Sequence, residues 1–252
     1  SVDESDFTYP MRHWMRPMEI GMSKAIDFIF VCSDILKQLC IEAGYEADHI
    51  YKVGLPYNSM RLIQQIVDMG FCPTPEKDDF VLFSSRFDDE KNPHFFLDLV
   101  EACPDIQFKL VKPRAHLSNN PEVVSRAFEL DKSGTNLEIV DTSDKLIYYR
   151  LLAAADIQFN CAEQDWVSWT LLEALTFGCK PLYPQWKDFP YELAEWSDKV
   201  IYEKSNLDEA REKLYALRQT HFDHSMRAVY ERHDKSWEHY LKIMGFTVRD
   251  KT

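Results

Sequence analysis

Glycine is scarce in this chain: seven in 252 residues, and no two form a GxG or GxxxxGK pattern. A dinucleotide fingerprint and a Walker loop are therefore excluded. Any bound phosphate must be held by side-chain cations or by the amino end of a helix. Cysteine is present six times (Cys32, Cys40, Cys72, Cys103, Cys161, Cys179) but never as CxxC or in another metal-binding spacing. Several of these thiols lie in apolar runs, so buried, reduced cysteines and a cytoplasmic location are expected. Positive charge is also short. Lys plus Arg number 29 against 42 Asp plus Glu, a formal net charge of −13, which argues against a broad nucleic-acid-binding face because phosphate contacts need clustered cations. No apolar run is long enough to span a bilayer, no secretory signal pattern is present, and there is no internal repeat or low-complexity segment.

What remains is a chain with 45% hydrophobic residues, enough for a sizeable core, in a length that suits one large domain or a domain plus part of another. Pro17 to Lys24 reads as the last turns of a helix. DFIFVC (27–32) reads as a buried strand, and Ser33 or Asp34 can cap the following helix. His49 to Val53 is a short strand, Asn58 to Met69 an amphipathic helix, and 70–79 a linker with two prolines and a charge run. From Phe80 strands and helices alternate. Strands are expected at Phe80–Ser85, Ile106–Val111, Leu137–Val140, Asp156–Cys161 and Lys180–Tyr183. Helices are expected at Pro93–Ala102, Pro121–Leu130, Asp144–Ala154 and Trp169–Phe177, with a short edge strand at Val200–Tyr202. This alternation predicts an α/β fold: a parallel sheet with helices on both faces. Ligands of such sheets bind at the carboxyl ends of the strands, which points to the loops at 84–92, 112–120, 141–144 and 161–168.

Two of those loops carry suitable chemistry. In VLFSSRFDDEKN (81–92), Arg86 and Lys91 lie between a strand end and a helix opened by Pro93. A guanidinium fork and a mobile ammonium together suit a diphosphate. Alternatively, both pair with Asp88, Asp89 and Glu90 as solvated surface charges. In DIQFNCAEQDWVSWTLLEALTFGCKPLYP (156–184), a strand feeds a helix with Ser168 as N-cap and Gly178 at its carboxyl end. Asp165 in the loop and Glu173 in the helix have seven residues between them. The backbone amides at Ser168, Trp169 and Thr170 face an anion site, because the first amides of a helix lack internal partners.

These two stretches, in this order, resemble the donor-binding signature of the family 4 retaining glycosyltransferases: an Arg-x-x-x-x-Lys element, then an acid, seven residues, Glu and Ala, with a small turn and Pro. Here those positions are Arg86, Lys91, Asp165, Glu173, Ala174, Gly178 and Pro181. The likeness continues in residues 25–45, which look like the last strand and helix of the amino-terminal domain of the two-domain GT-B fold. Residues 49–58 look like the linker and 224–244 like the terminal crossing helix. The resemblance thus covers most of 25–244. It implies a Rossmann-like donor domain at 57–222, the end of an incomplete amino-terminal domain plus linker at 1–56, a terminal helix and tail at 223–252, and a missing amino-terminal domain as partner. It further implies a nucleotide sugar as donor substrate, no cofactor and no metal. Arg86 and Lys91 would grip the diphosphate, Asp165 would face the sugar, Glu173 would accept from ribose hydroxyls, and Ser168, Trp169 and Thr170 would sit at the phosphates. Lys112 and the Val140 backbone would lie near the base. EKNP (90–93), GCKPLYP (178–184) and KDFPYEL (187–193) are similar to the tRNA-queuosine mannosyltransferase group, which implies a modified tRNA nucleoside as acceptor. The residues themselves name neither sugar, base nor acceptor.

Departures from the pattern keep other readings open. Trp166 and Ser168 stand where the family usually has glycine, and bulk there would narrow the sugar pocket. The first acid is Asp165 rather than Glu. A non-catalytic nucleotide-sugar or partner-binding module, or an epimerase of the same fold, is the alternative. Elsewhere, the Asp88–Glu90 run reads as a helix lead-in favoured by the dipole, His221, His224, His233 and His239 lack a completing ligand, and Cys161 reads as a buried apolar thiol without an activating base.

Overall fold

A computed structural model describes residues 2, 4, 9–74, 76–112, 117–221 and 226–246. Its strands are β1 (Ile29–Val31), β2 (Ile50–Lys52), β3 (Asp78–Phe83), β4 (Gln107–Lys112), β5 (Leu137–Asp141), β6 (Ala155–Phe159), β7 (Lys180–Pro184) and β8 (Ile201–Tyr202). Its α-helices are α1 (Arg12–Ser23), α2 (Asp34–Glu42), α3 (Ser59–Asp68), α4 (Pro93–Ala102), α5 (Pro121–Lys132), α6 (Lys145–Ala154), α7 (Trp169–Thr176), α8 (Phe189–Glu192), α9 (Ser197–Val200), α10 (Leu207–Gln219), α11 (Arg227–Asp234) and α12 (Ser236–Ile243). β1 and β2 pair in parallel as a small sheet, and the other six strands form a parallel sheet in the order β5-β4-β3-β6-β7-β8.

That order follows from how the chain is wound. It starts in the middle at β3, moves outward through β4 to β5, returns to the other side of β3 as β6, and continues to β7 and β8. The direction of winding reverses between β3 and β6, and at such a point the two following loops diverge and leave a crevice. Strand alternation divides the core. Phe80 and Leu82 pack with α3, α6 and α7 on one face, while Val81 and Phe83 pack with α4, α5 and α10 on the other. A third, smaller cluster of Val31, Cys40 and Ile50 holds the β1–α2–β2 unit. The helices start where local chemistry stops other structure. Asn58, Asn92, Asn120 and Asp144 each accept a first-turn amide, and Pro93 and Pro121 take first positions that need no N–H.

The expected elements are present, with shifts at their ends. β3 begins at Asp78, so the linker gives its last two residues to the strand, and β8 is the edge strand beside β7. α1 begins at Arg12 and carries Pro17 inside it, a longer helix than the pattern around 17–24 predicts. α10 lies where no element was expected: Ala210, Leu214 and Leu217 make one narrow buried stripe on an otherwise charged helix. The terminal segment is two helices, α11 and α12, rather than one. Among the described residues, no helix is long and apolar enough to cross a membrane.

The core is tightest at Phe96, fully buried and ringed by Phe83, Phe87, Phe108 and Phe159 at centroid distances of 4.5, 5.9, 6.0 and 6.2 Å. Phe96→Ala is expected to destabilise the domain by about 3–5 kcal/mol and Phe96→Leu by much less. Chemical denaturation of both variants checks this, and a loss under about 1 kcal/mol for Phe96→Ala would contradict the packing described.

Candidate active site

The loops that follow β3 and β6 sit on either side of the point where the winding reverses, and they are bonded to each other. The Glu163 amide donates to Glu90 O at 2.9 Å, and the Cys161 thiol donates to the carbonyls of Lys91 and Asn92 at 3.2 and 3.3 Å. Lys91 Nζ reaches across to Asp165 Oδ1 at 2.6 Å, with the two side chains 8% and 21% exposed. The two sequence-predicted elements thus meet directly through one cation and one acid. Burial pushes the Cys161 thiol well above its ordinary range, in keeping with its reading as an inert structural cysteine.

Arg86 remains on its own loop. Its guanidinium contacts Glu90 Oε1 at 2.6 Å and Asp88 Oδ2 at 3.7 Å, and the side chain is half-exposed. This is the surface pairing that the acidic run allowed for Arg86, whereas Lys91 is buried. Asp89 accepts from Asn120 Nδ2 at 3.2 Å, and among the described residues no three His, Cys, Asp or Glu side chains converge as metal ligands.

Glu173, on α7, is largely buried and takes both its hydrogen bonds from α6. Tyr148 Oη donates to Oε2 at 2.6 Å and Tyr149 Oη to Oε1 at 3.5 Å. Burial raises the Glu173 carboxyl above the ordinary carboxylate range. The two phenols and the Lys145 ammonium, which lies over both tyrosine rings at 4.9 and 5.6 Å, pull it back. Burial and the same carboxylate push Tyr149 up to about 12 and raise Tyr148 well above its ordinary value, so both phenols remain donors.

A row of buried polar groups links Glu173 to the Lys91–Asp165 pair. The Tyr148 hydroxyl faces Ser84, and Ser84 Oγ accepts from Gln158 Nε2 at 3.2 Å. The Tyr183 hydroxyl, at the end of β7, faces Thr170, Ser168 and Gln158 and feels the Asp165 charge, yet closes no hydrogen bond of good geometry. Gln158 Oε1 is likewise buried without a partner in the structure. Two unsatisfied polar atoms side by side under a helix amino end are unusual in a packed interior. Ser168 occupies the N-cap position of α7 with extended backbone, but its side chain does not cap. Instead the Thr170 hydroxyl, two residues on, takes Ser168 Oγ at 2.7 Å, so the expected capping bond is replaced by a hydroxyl pair. Trp169 is 46% exposed and leans on Tyr57, ring centroids 5.9 Å apart.

Lys112 and Val140 stand on the β4–β5 side. Lys112 is ion-paired with Asp141, and Val140 lies within the β5 ladder opposite Val111. Among the described residues no side-chain bond joins these two to the group around Asp165. The sequence reading missed Tyr148, Tyr149, Gln158 and Tyr183. Gln158 carried a signal, a polar residue inside a buried strand. The tyrosine doublet carried none, since nothing in its spacing ties it to Glu173.

A cavity of about 880 Å³ lies elsewhere, between the β1–α2 turn, the end of β2, α8 and α11, with Cys32, Lys52, Asp188 and His233 among its walls. None of the donor-site candidates Arg86, Lys91, Lys112, Val140, Asp165, Ser168, Trp169, Thr170 and Glu173 lines it, whereas His233 and His239 do. At its edge the Cys32 thiol approaches the Val167 backbone of the β6 loop. His233 is there as a structural group: Nδ1 accepts from the Leu55 amide at 3.2 Å and Nε2 donates to Glu192 at 3.0 Å. His224 is outside the described residues.

No protein-family model and no curated protein matches the sequence. Solved structures do match in fold. A sucrose-phosphate synthase from Thermosynechococcus elongatus superposes with a TM-score of 0.67 at 14% identity over 97% of this chain and 63% of that one. A glycosyltransferase from Rickettsia africae gives 0.66 at 13% identity, covering 95% of this chain and 68% of that one. Anabaena HepE, solved in complex with UDP and glucose, gives 0.66 at 12% identity over 94% of this chain and 70% of that one. The fold is that of GT-B glycosyltransferases. The chain spans only about two thirds of the length of the structures it matches.

The environment of Glu173 gives a pH signature. A carboxyl whose folded value is raised favours the fold when protonated, and that contribution is lost as pH rises through the folded value. The stability of Glu173→Gln relative to the wild type should therefore increase between pH 4 and pH 7, the window that starts near the unfolded glutamate value of about 4.3. Melting temperatures of both proteins across that range test it, and a flat difference would mean Glu173 is not desolvated.

Proposed function

We propose that this chain is the donor-binding part of a retaining glycosyltransferase. It takes a nucleoside-diphosphate sugar at the carboxyl ends of β3 and β6 and passes the glycosyl group to an acceptor hydroxyl. The observation that supports this most directly is the Lys91–Asp165 contact across the crevice, with the amino end of α7 and the unsatisfied Gln158 and Tyr183 beside it. In this reading the bond broken joins the anomeric carbon to the diphosphate. Lys91, Arg86 and the Trp169 and Thr170 amides stabilise the negative charge that grows on the departing phosphate. Asp165 steadies the positive charge at the anomeric carbon, whose transition state is oxocarbenium-like. Glu173, with two acceptor oxygens, holds the ribose hydroxyls, and Tyr148 and Tyr149 fix its orientation. The acceptor hydroxyl attacks from the leaving-group side and gives its proton to the leaving phosphate, which preserves the anomeric configuration. Charge neutralisation is assigned to protein groups rather than to a metal ion, and Lys112 with the Val140 backbone is assigned to the base.

The finer reading, a cytoplasmic enzyme transferring mannose to queuosine in tRNA, rests on EKNP, GCKPLYP and KDFPYEL alone. The β1–α2–β2 unit is read with it as the end of an amino-terminal lobe that would supply most acceptor contacts. A non-catalytic binding module is the second reading, favoured by Arg86 being engaged with Glu90.

Calorimetric titration with UDP, GDP, ADP and their glucose or mannose conjugates tests the donor site. One nucleotide is expected to bind, with about tenfold or greater weakening in Arg86→Ala and Glu173→Ala, since each removes hydrogen bonds of a charged group. Binding no better than inorganic diphosphate, or full affinity in both variants, would overturn the reading. Turnover when an amino-terminal lobe is supplied separates the enzyme from the module.

A further inference from the structure

The wall of the 880 Å³ cavity beside the β1–α2–β2 unit contains an acid that the fold leaves unsatisfied. Asp188 follows β7 at the N-cap position of α8, where an aspartate ordinarily accepts a first-turn amide. It does not cap. Its side chain stands in the cavity wall instead, the residue 5% exposed and Oδ2 buried without a hydrogen-bond partner among the described residues. The carboxyl faces the Ser33 hydroxyl, whose oxygen already accepts from the Leu36 amide at 3.1 Å. Burial raises the carboxyl above its ordinary range, Ser33 pulls it back, and Glu192 and Asp34 push it up again. An acid buried among acids is costly unless a cation meets it. The lysine and the arginine of the wall are engaged elsewhere. Lys52 pairs with Asp34 at 3.2 Å, and Arg232 pairs with Glu192 at 3.3 Å, where His233 also bonds at 3.0 Å. Among the described residues, Asp188 and Glu42 are the two acids of the wall without an ion-pair partner, and Glu42 accepts only from the neutral Gln38 amide at 2.9 Å.

We propose that this cavity is a second ligand site, separate from the group around Lys91, and that it takes a small molecule bearing an amine. The ammonium seats on Asp188, and the apolar body of the ligand lies along Ile35, Leu39 and Val53, which share the same wall. An ammonium supplies both things Asp188 lacks: a hydrogen-bond donor and the opposite charge. The volume falls in the range of about 300–1,000 Å³ usual for small-molecule sites. A metal ion is the poorer fit, because among the described residues no three His, Cys, Asp or Glu side chains converge. A carboxyl that forgoes its cap and is buried unpaired breaks a local rule of stable packing, and such breaks concentrate where a ligand is received. The inference uses no part of the donor reading.

The test titrates the whole chain with 2-phenylethylamine, 2-phenylethanol and phenylacetate, followed by ligand-detected NMR. These probes share one apolar body and differ in charge. The wild type is expected to bind the amine about tenfold or more tightly than the alcohol, and the carboxylate most weakly. Asp188→Asn should bring the amine down to the level of the alcohol. The melting temperature of that variant should hold or rise, since a buried unpaired charge has been removed. A merely structural Asp188 would show the reverse, a lower melting temperature with the preference for the amine intact. Location is read from Cys32, which lines the cavity. Saturating amine should slow its alkylation by iodoacetamide and leave that of the exposed Cys72 unchanged. Equal binding of amine and alcohol, tighter binding of phenylacetate, an unchanged amine affinity in Asp188→Asn, or an unprotected Cys32 each overturns the proposal. The probe series and the Cys32 protection need no variant, so they decide the matter even if Asp188→Asn does not fold.

Discussion

The Lys91–Asp165 ion pair is the contact on which the arrangement of the site depends. It bridges the loops on either side of the sheet's reversal point, beside the Glu163–Glu90 backbone bond and the Cys161 thiol contacts. A buried pair of this kind is costly to desolvate and costlier to break on one side only, because the remaining charge is stranded. Its value lies in register: it fixes a cation of the β3 loop against an acid of the β6 loop. The cation and the acid neutralise each other, and on the proposed donor reading a diphosphate competes for Lys91 with Asp165, and for Arg86 with Glu90.

The buried polar row extends that logic to Glu173. Gln158 and Tyr183 rise from the sheet itself, on β6 and β7, and are therefore more rigidly placed than any loop residue. They leave hydrogen-bonding capacity unused beneath the helix tip. A protein interior tolerates few such groups, and both side chains are fully buried, beneath the strand ends rather than in an open cavity.

Much of this was legible in the sequence, and for identifiable reasons. β3, β6 and β7 are largely buried on both faces, so each shows a short apolar stretch, and the Asn–Pro and Asp starts of the helices carry their own chemistry. The Arg86–Lys91 and Asp165–Glu173 spacings located the loops. The strand order was not legible, because periodicity marks a strand without naming its neighbours. Nor was the difference between Arg86 and Lys91, two cations five positions apart of which one turns outward to its own loop and the other inward. The partnership of Glu173 with Tyr148 and Tyr149 depends on how α6 packs against α7, which no local pattern encodes. α10 escaped notice because its buried stripe is only three residues wide.

The two passages between the small β1–α2–β2 unit and the main sheet are bonded side by side. Leu55 meets His233 and Ser236, Ser59 meets Asp234, and the Tyr57 hydroxyl reaches Thr176 on α7 at 2.6 Å. Fastened in this way, the outgoing and returning segments behave as a single strap. The 880 Å³ cavity beside the strap is walled by both segments, with Val53 and Gly54 from the outgoing one and Arg232 and His233 from the returning one.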